Sequence, residues 1–373
     1  MKLLSISLDK KILDKDSKNF QRQKEYAGLV DEYHVVVFGS KKGIQEDNLF
    51  AYGSGGKNRI VRFLKAYKIA KKILKNKDLK DWLVTTQDPF FSGFLGYLLK
   101  RKFSIKLHVQ LHGDFFSSKY FRKESLYTRF LYFLGKFIIK KADSFRVVSQ
   151  RIKESLIKLG VDEDKITAVP IYAQKAQRTI EEPQKDTKRF VFLTIGRLVL
   201  VKNIGLQIKA LAEVIKKYLD VELWVAGEGK EKKKLELLTK KLGLEKRVKF
   251  WGWQDNPERF YNQANVFLLT SNYEGWGLVV IEAAHYGLPI IMTDVGCAGE
   301  VIRNPSISSG QGSGIVIPVG DKKALEKTMI KLIEDKELRE RLGDNAKKAI
   351  LKLPNKEETL NLYKKSWKAA IKK

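Results

Sequence analysis

Two carboxylates, Glu274 and Glu282, stand eight positions apart in Ser271–Pro289, SNYEGWGLVVIEAAHYGLP. Glu282 is the only carboxylate between Leu278 and Pro289, on an otherwise largely apolar stretch that should form a buried helix. A buried carboxylate is costly unless donors reach it, and sugar hydroxyls are donors of that kind. Glu274 falls in the loop before this helix and can face the same cavity. Gly275 and Gly277, on either side of Trp276, open the helix, and its first turn offers unpaired backbone N–H groups to an anion. The plainer assignment is a capping Glu274 and a Glu282 paired with a buried arginine. Glycines, carboxylates and an apolar helix coincide here, which favours a binding site.

A second constellation lies upstream in Thr194–Asn203, TIGRLVLVKN. Gly196 lets the chain turn after an apolar strand, Arg197 sits at the strand's end, and Lys202 precedes the next helix. A guanidinium fork and an ammonium point charge flanking such a turn suit a diphosphate. Taken alone they read more readily as two surface cations of a lysine-rich protein. Val225–Gly229, VAGEG, ends another strand in a glycine-spaced turn at Gly227. Phe250–Trp253, FWGW, brackets a glycine with Trp251 and Trp253, which either wall a nucleobase pocket or pack in the core.

Positioning these residues requires strands that end beside one another, and the hydrophobic pattern supplies them. Short apolar runs alternate with amphipathic ones nearly end to end, the mark of parallel α/β sheets. The first half offers strands at Leu3–Ile6, His34–Phe38, Trp82–Thr86, Ile105–Leu111, Phe145–Ser149 and Ile166–Val169. A polar stretch, Ala173–Lys188, reads as a linker. The alternation then restarts at Phe190–Ile195, Val221–Ala226, Val248–Trp251, Val266–Leu269, Pro289–Thr293 and Gly314–Pro318. Two doubly wound, Rossmann-like domains facing across a cleft follow, with boundaries at 1–175 and 176–355 and a helix at 356–373 that returns to the first domain. Ligands of open parallel sheets sit beyond the carboxyl ends of the strands.

Composition narrows the classes further. The 373 residues exceed one ordinary core, and no apolar run reaches the roughly 18 residues of a membrane span. The single cysteine, Cys297, excludes an internal disulfide. The opening MKLLSISLDKK reads as a first strand rather than a signal peptide, so a cytoplasmic location is expected. The formal net charge is +29, from 72 Lys and Arg against 43 Asp and Glu, a field that attracts polyanions, anionic lipid or phosphorylated substrates. No nucleic-acid reading module is present, and no nucleic-acid partner is expected.

Taken together, the motifs of the second half resemble the large retaining glycosyltransferase family 4, of the GT-B fold. Glu274 and Glu282 match its Glu-x7-Glu motif, and Gly196, Arg197 and Lys202 match its Gly-Arg-x4-Lys element. Val225–Gly229, Val248–Gly252 and Asp294–Ile302 follow in the family's order, so the resemblance covers nearly all of Phe190–Ile350. It implies that Arg197 and Lys202 clamp the diphosphate of a nucleotide-sugar donor, UDP- or GDP-linked, and stabilise the departing nucleotide. It also implies that Glu282 holds the ribose, that Glu274 holds the donor sugar, and that the Gly275–Gly277 N–H groups meet sugar or phosphate. Gly227 and the residues around Trp251 and Trp253 would complete the donor site. Such enzymes usually work without a metal, and neither metal nor cofactor is expected. Retention implies attack from the face the nucleotide leaves, with the leaving phosphate oxygen taking the acceptor proton.

The first half resembles the family more faintly. His112, at the end of Ile105–Leu111, stands where family members often place a histidine against the donor sugar. The family's glycine-rich loop after the first strand is absent. Asp9–Asn19 replaces it, leaving Ser17, Asn19 and Arg22 as acceptor candidates. Tyr120–Lys141 mixes aromatics with cations on an expected helix and suits either a core or an anionic membrane surface. The expected activity is therefore a metal-independent, hexosyltransferase-like transfer to a saccharide, glycolipid or envelope polysaccharide, at the inner face of a membrane. The alternatives are a polyanion- or membrane-binding protein on a non-catalytic GT-B fold, a nucleotide-sugar epimerase, or a phosphorylase.

Overall fold

The computed structural model describes residues 1–172, 189–305 and 311–371. The chain forms two compact units, one of Met1–Pro170 with Pro354–Lys373 and one of Ile171–Leu353. The expected linker, Ala173–Lys188, lies outside the described residues.

The first unit runs β1 (Lys2–Ser7), α1 (Lys18–Ala27), β2 (Glu32–Val37), β3 (Gly43–Glu46), β4 (Leu49–Gly53), α2 (Arg59–Leu74) and β5 (Trp82–Thr86). It continues through α3 (Phe91–Phe103), β6 (Lys106–Leu111), α4 (Lys119–Lys123), α5 (Leu126–Ile139), β7 (Ser144–Val147), α6 (Gln150–Lys158) and β8 (Ile166–Ala168). The sheet order is β3-β4-β2-β1-β5-β6-β7-β8, and only β3 is antiparallel to its neighbour. In β1, Leu3 and Leu4 are both fully buried although they point to opposite faces, as a strand covered by helices on both sides requires.

Two features depart from the sequence reading. The β3–β4 hairpin was not among the expected strands; Glu46 pairs with Leu49, so Asp47 and Asn48 form a two-residue turn, with Asp47 at φ 51°. The helix expected over Leu126–Lys141 forms as α5, but the aromatic stretch from Tyr120, read as one helix with it, is a separate α4. Ser125 starts α5 with a capping box: its hydroxyl accepts from Thr128 N, and Thr128 Oγ1 accepts from Ser125 N at 2.9 Å.

The second unit runs β9 (Phe190–Ile195), α7 (Ile204–Val214), β10 (Val221–Ala226), α8 (Lys232–Lys241), β11 (Val248–Gly252), α9 (Glu258–Gln263) and β12 (Val266–Leu269). Then come α10 (Leu278–His285), β13 (Ile290–Thr293), β14 (Ile315–Ile317), α11 (Lys322–Glu334) and α12 (Lys336–Ile350). Its parallel sheet is ordered β11-β10-β9-β12-β13-β14. The last helix, α13 (Lys356–Ile371), belongs to the first unit. Its Trp367 is buried there, and its Tyr363 ring lies 4.5 Å from that of Tyr26.

Candidate active site

From β9 the second sheet grows in both directions, to β10 and β11 on one side and to β12, β13 and β14 on the other. The carboxyl ends of β9 and β12 therefore flank a topological switch point, where such sheets leave room for a ligand. The loops leaving these strands carry Gly196–Lys202 and Ser271–Gly277. A buried polar network ties them together. Gln207 Nε2 donates to Thr270 Oγ1 at 2.9 Å, and Thr270 Oγ1 lies 3.1 Å from its acceptor, the Asn203 carbonyl. Asn272 N donates to Val201 O at 2.8 Å.

Across this gap Lys202 Nζ is ion-paired with Glu274, and Ser271 Oγ donates to the same carboxylate oxygen at 2.8 Å. Arg197 is exposed, and its guanidinium has no hydrogen bond or ion pair among the described residues. The site thus holds one neutralised cation and one free guanidinium, both at the ends of buried elements.

Glycines bring the backbones together. Gly227, at φ +145°, lies so close to Gly196 that a Cβ would sit 1.9 Å from the Gly196 carbonyl oxygen. Gly227 N donates to Gly252 O at 2.7 Å, and Gly196 N to Ala226 O at 3.0 Å. The Gly-x-Gly turn is therefore a close crossing of strand ends rather than a simple turn. Gly277 begins α10 at φ +87°. The N–H groups of Gly275, Trp276 and Gly277 make no hydrogen bond among the described residues. The Trp276 indole is buried, so only its backbone is available at this loop.

Glu282 is half-buried rather than buried, and it accepts a hydrogen bond from Tyr261 Oη at 2.8 Å. Burial, then the Glu282 charge, raise the Tyr261 phenol well above its ordinary pKa, so it remains the donor. Trp251 and Trp253 are exposed, at 40% and 62%, which rules out core packing. Trp251 lies edge-on to Trp224 and Phe260, and Trp253 Nε1 donates to Asp255 at 2.9 Å.

In the first unit, His112 follows β6, and Nδ1 accepts from Arg146 at 3.2 Å. This bond leaves the imidazole proton on Nε2. Surrounding protein, then the charges of Arg146 and Arg22, lower the His112 pKa. Its ring is nevertheless open to solvent, so the two like charges are the firmer cause, and the ring is neutral at pH 7. Arg146, which sequence reasoning passed over, is 1% exposed. It also donates to Val169 O at 2.7 Å, lies over the Tyr363 ring at 4.7 Å, and meets no carboxylate among the described residues.

The acceptor candidates divide. Ser17 is committed to the N-cap of α1, accepting from Phe20 N at 3.0 Å and donating to Asp14 O at 2.8 Å. Asn19 is held by Asp9 at 2.5 Å. Arg22 alone is exposed and unpaired among the described residues. Among the described residues no group of three or more His, Cys, Asp or Glu is placed to hold a metal ion.

Two Rossmann-like units, the second with cationic and carboxylate loops at its switch point, define an enzyme of the GT-B class that transfers sugars. The family model described as Glycosyl transferases group 1 matches residues 175–349, and that described as Glycosyltransferase Family 4 matches residues 24–171. The chain belongs to this group 1, family 4-like set of glycosyltransferases. It is 29% identical over 371 residues to a glycosyltransferase of Methanocaldococcus jannaschii, covering 89% of each chain. It is 26% identical over 347 residues to the capsular polysaccharide biosynthesis glycosyltransferase CapM of Staphylococcus aureus, covering 86% of this chain and 85% of that one. The structure of Anabaena HepE in complex with UDP and glucose superposes with a TM-score of 0.74 at 17% identity, over 97% of both chains.

Proposed function

We propose that the protein is a retaining glycosyltransferase that moves a sugar from a nucleotide-diphosphate donor to a saccharide, glycolipid or envelope polysaccharide. The observation that carries this reading is the switch point of the second unit. Exposed Arg197, the Lys202–Glu274 pair and the unbonded N–H groups of Gly275–Gly277 surround one gap. Arg197 and Lys202 take the diphosphate and stabilise charge on the leaving nucleotide, so no divalent ion is required for that task. Glu274 holds donor-sugar hydroxyls, and Glu282, backed by Tyr261, holds the ribose. The exposed Trp251 and Trp253 stand at the base end. UDP bound to HepE supports a uridine donor, and the role named for CapM supports a polysaccharide acceptor.

The acceptor hydroxyl attacks the anomeric carbon from the face the nucleotide leaves, and a departing phosphate oxygen takes its proton. Neither glutamate then serves as a nucleophile. Among the described residues no helix is long and apolar enough to cross a membrane. The proposed setting is the cytoplasm, with peripheral attachment to a membrane that carries the acceptor. The relatives are glycosyltransferases, and they lend no support to an epimerase, a phosphorylase or a non-catalytic polyanion binder.

Thermal-shift measurement against UDP, GDP, ADP and TDP and their sugar conjugates tests the donor assignment, with Arg197→Ala alongside. Stabilisation by one diphosphate family, lost in the variant, is expected. No shift with any nucleotide overturns the reading.

A further inference from the structure

Helix α5 is apolar on both sides. Leu131, Gly135, Ile138 and Ile139 face inward and are buried. On the opposite side Leu126, Phe130, Phe133 and Phe137, spaced as one helical stripe, are 84%, 54%, 57% and 40% exposed. The stripe extends onto α2: Arg59 lies over the Tyr127 ring at 5.5 Å, and Ile60 and Leu64 beyond it are 73% and 53% exposed. Contiguous apolar surface of this kind marks a contact site in a soluble domain.

Charge along the two helices has one sign, with exposed Glu124 just ahead of α5. Neither Lys57–Lys77 nor Ser125–Lys141 contains an Asp or Glu. Arg59, Lys65, Arg129 and Lys140 are exposed and carry no ion pair among the described residues. A second copy of the chain docking face to face would set these cations against each other, in a protein already at +29. A bilayer with anionic head groups offers what this face lacks, an apolar layer for the phenyl rings beneath phosphates for the cations.

We propose that the outer face of α5, continued by Ile60 and Leu64 of α2, is the surface by which the protein lies on an anionic membrane. Its purpose rests on the reading of the acceptor as membrane-borne, but binding to vesicles is measured without donor or turnover, so the two fail separately.

The test is sedimentation of the purified full chain with phosphatidylcholine vesicles, with and without about one third phosphatidylglycerol. Wild type is expected to bind only the anionic vesicles, less so at raised salt. Phe130→Glu with Phe133→Glu should weaken binding by at least about tenfold. Leu126→Glu, at the most exposed position, provides a milder variant should the double one fold poorly. Because the sole cysteine, Cys297, is buried, an environment-sensitive dye on Phe133→Cys can be attached selectively. Its emission should shift to the blue with anionic vesicles alone. Wild type that ignores anionic vesicles, or variants that bind as tightly as wild type, would overturn the proposal. So would a wild-type dimer that these substitutions turn into monomer without any vesicle binding.

Discussion

Lys202 and Glu274 are ion-paired across the gap between the carboxyl ends of β9 and β12, and Ser271 donates to the same glutamate oxygen. The pair links the two loops that approach the switch point and neutralises one of its two cations. In the proposed reaction Lys202 turns toward phosphate while Glu274 is released toward the donor sugar. The substitutions Lys202→Met and Glu274→Gln should each lower turnover by about 10²-fold. Because the partners act together, the double variant should lose less than the product of the single losses. Steady-state rates of the four proteins decide this, and purely multiplicative losses would separate the two roles.

Arg197 is exposed and unpaired among the described residues, so its removal leaves no stranded partner behind. Arg197→Ala should weaken a nucleoside diphosphate by about tenfold or more and leave the nucleoside unchanged. Titration calorimetry with both ligands reads the difference. Equal losses would place Arg197 away from the phosphates.

Gly227→Ala should be among the most damaging single changes in the second unit. Its Cβ would meet the Gly196 carbonyl at 1.9 Å, on a backbone at φ +145°. A loss of about 3 kcal/mol or more is expected, seen as a lowered denaturant midpoint and lost nucleotide binding. Gly243→Ala is the control, since it also has positive φ but nothing within 4 Å of its Cβ. It should cost markedly less.

Arg146 acts on His112 in two ways, by fixing the proton on Nε2 and by disfavouring a second proton. Arg146→Met removes both. The His112 pKa should rise toward its ordinary value, and the acid limb of the kcat/KM profile should move upward. Arg146→Lys should restore part of the shift. Arg146→Met also takes the donor from the buried Val169 carbonyl, so a loss of about 1–3 kcal/mol in stability is expected and the profiles are compared on folded protein. Unmoved pH profiles in both variants would reduce Arg146 to a packing residue.

His108 is fully buried, with Nδ1 2.8 Å from Thr85 Oγ1, and burial first, then Arg146, lower its pKa to about 3. The unfolded chain takes up a proton near pH 6.5 and the folded chain does not until about pH 3. Stability is therefore full above the unfolded pKa and falls as pH drops through this window. At pH 5 this residue should account for about 2 kcal/mol of loss relative to pH 7, which His108→Gln should largely abolish. Urea midpoints of both proteins at the two pH values provide the check.

Strand positions were legible because parallel sheets bury both faces. Their apolar runs, such as Phe190–Ile195 and Val221–Ala226, stand out without any partner being known. The β3–β4 hairpin was not, since Gly43–Glu46 is an exposed edge strand with no apolar run. The break between α4 and α5 turned on one capping serine inside an aromatic stretch.

Residue type and spacing singled out Arg197, Lys202 and Glu274 as candidates on loops that follow apolar strands and need glycine to turn, and Glu282 on the apolar helix that comes next. They could not reveal that Lys202 and Glu274, 72 positions apart, meet as an ion pair, or that Tyr261 donates to Glu282. Nor did they single out Gln207, Thr270 or Arg146, which look like ordinary helix or strand residues. Those pairings depend on strand order: β12 lies beside β9, although two strands intervene in the chain. A local pattern carries the period of an element, whereas the neighbour of a buried polar group is set by the packing of elements distant in sequence.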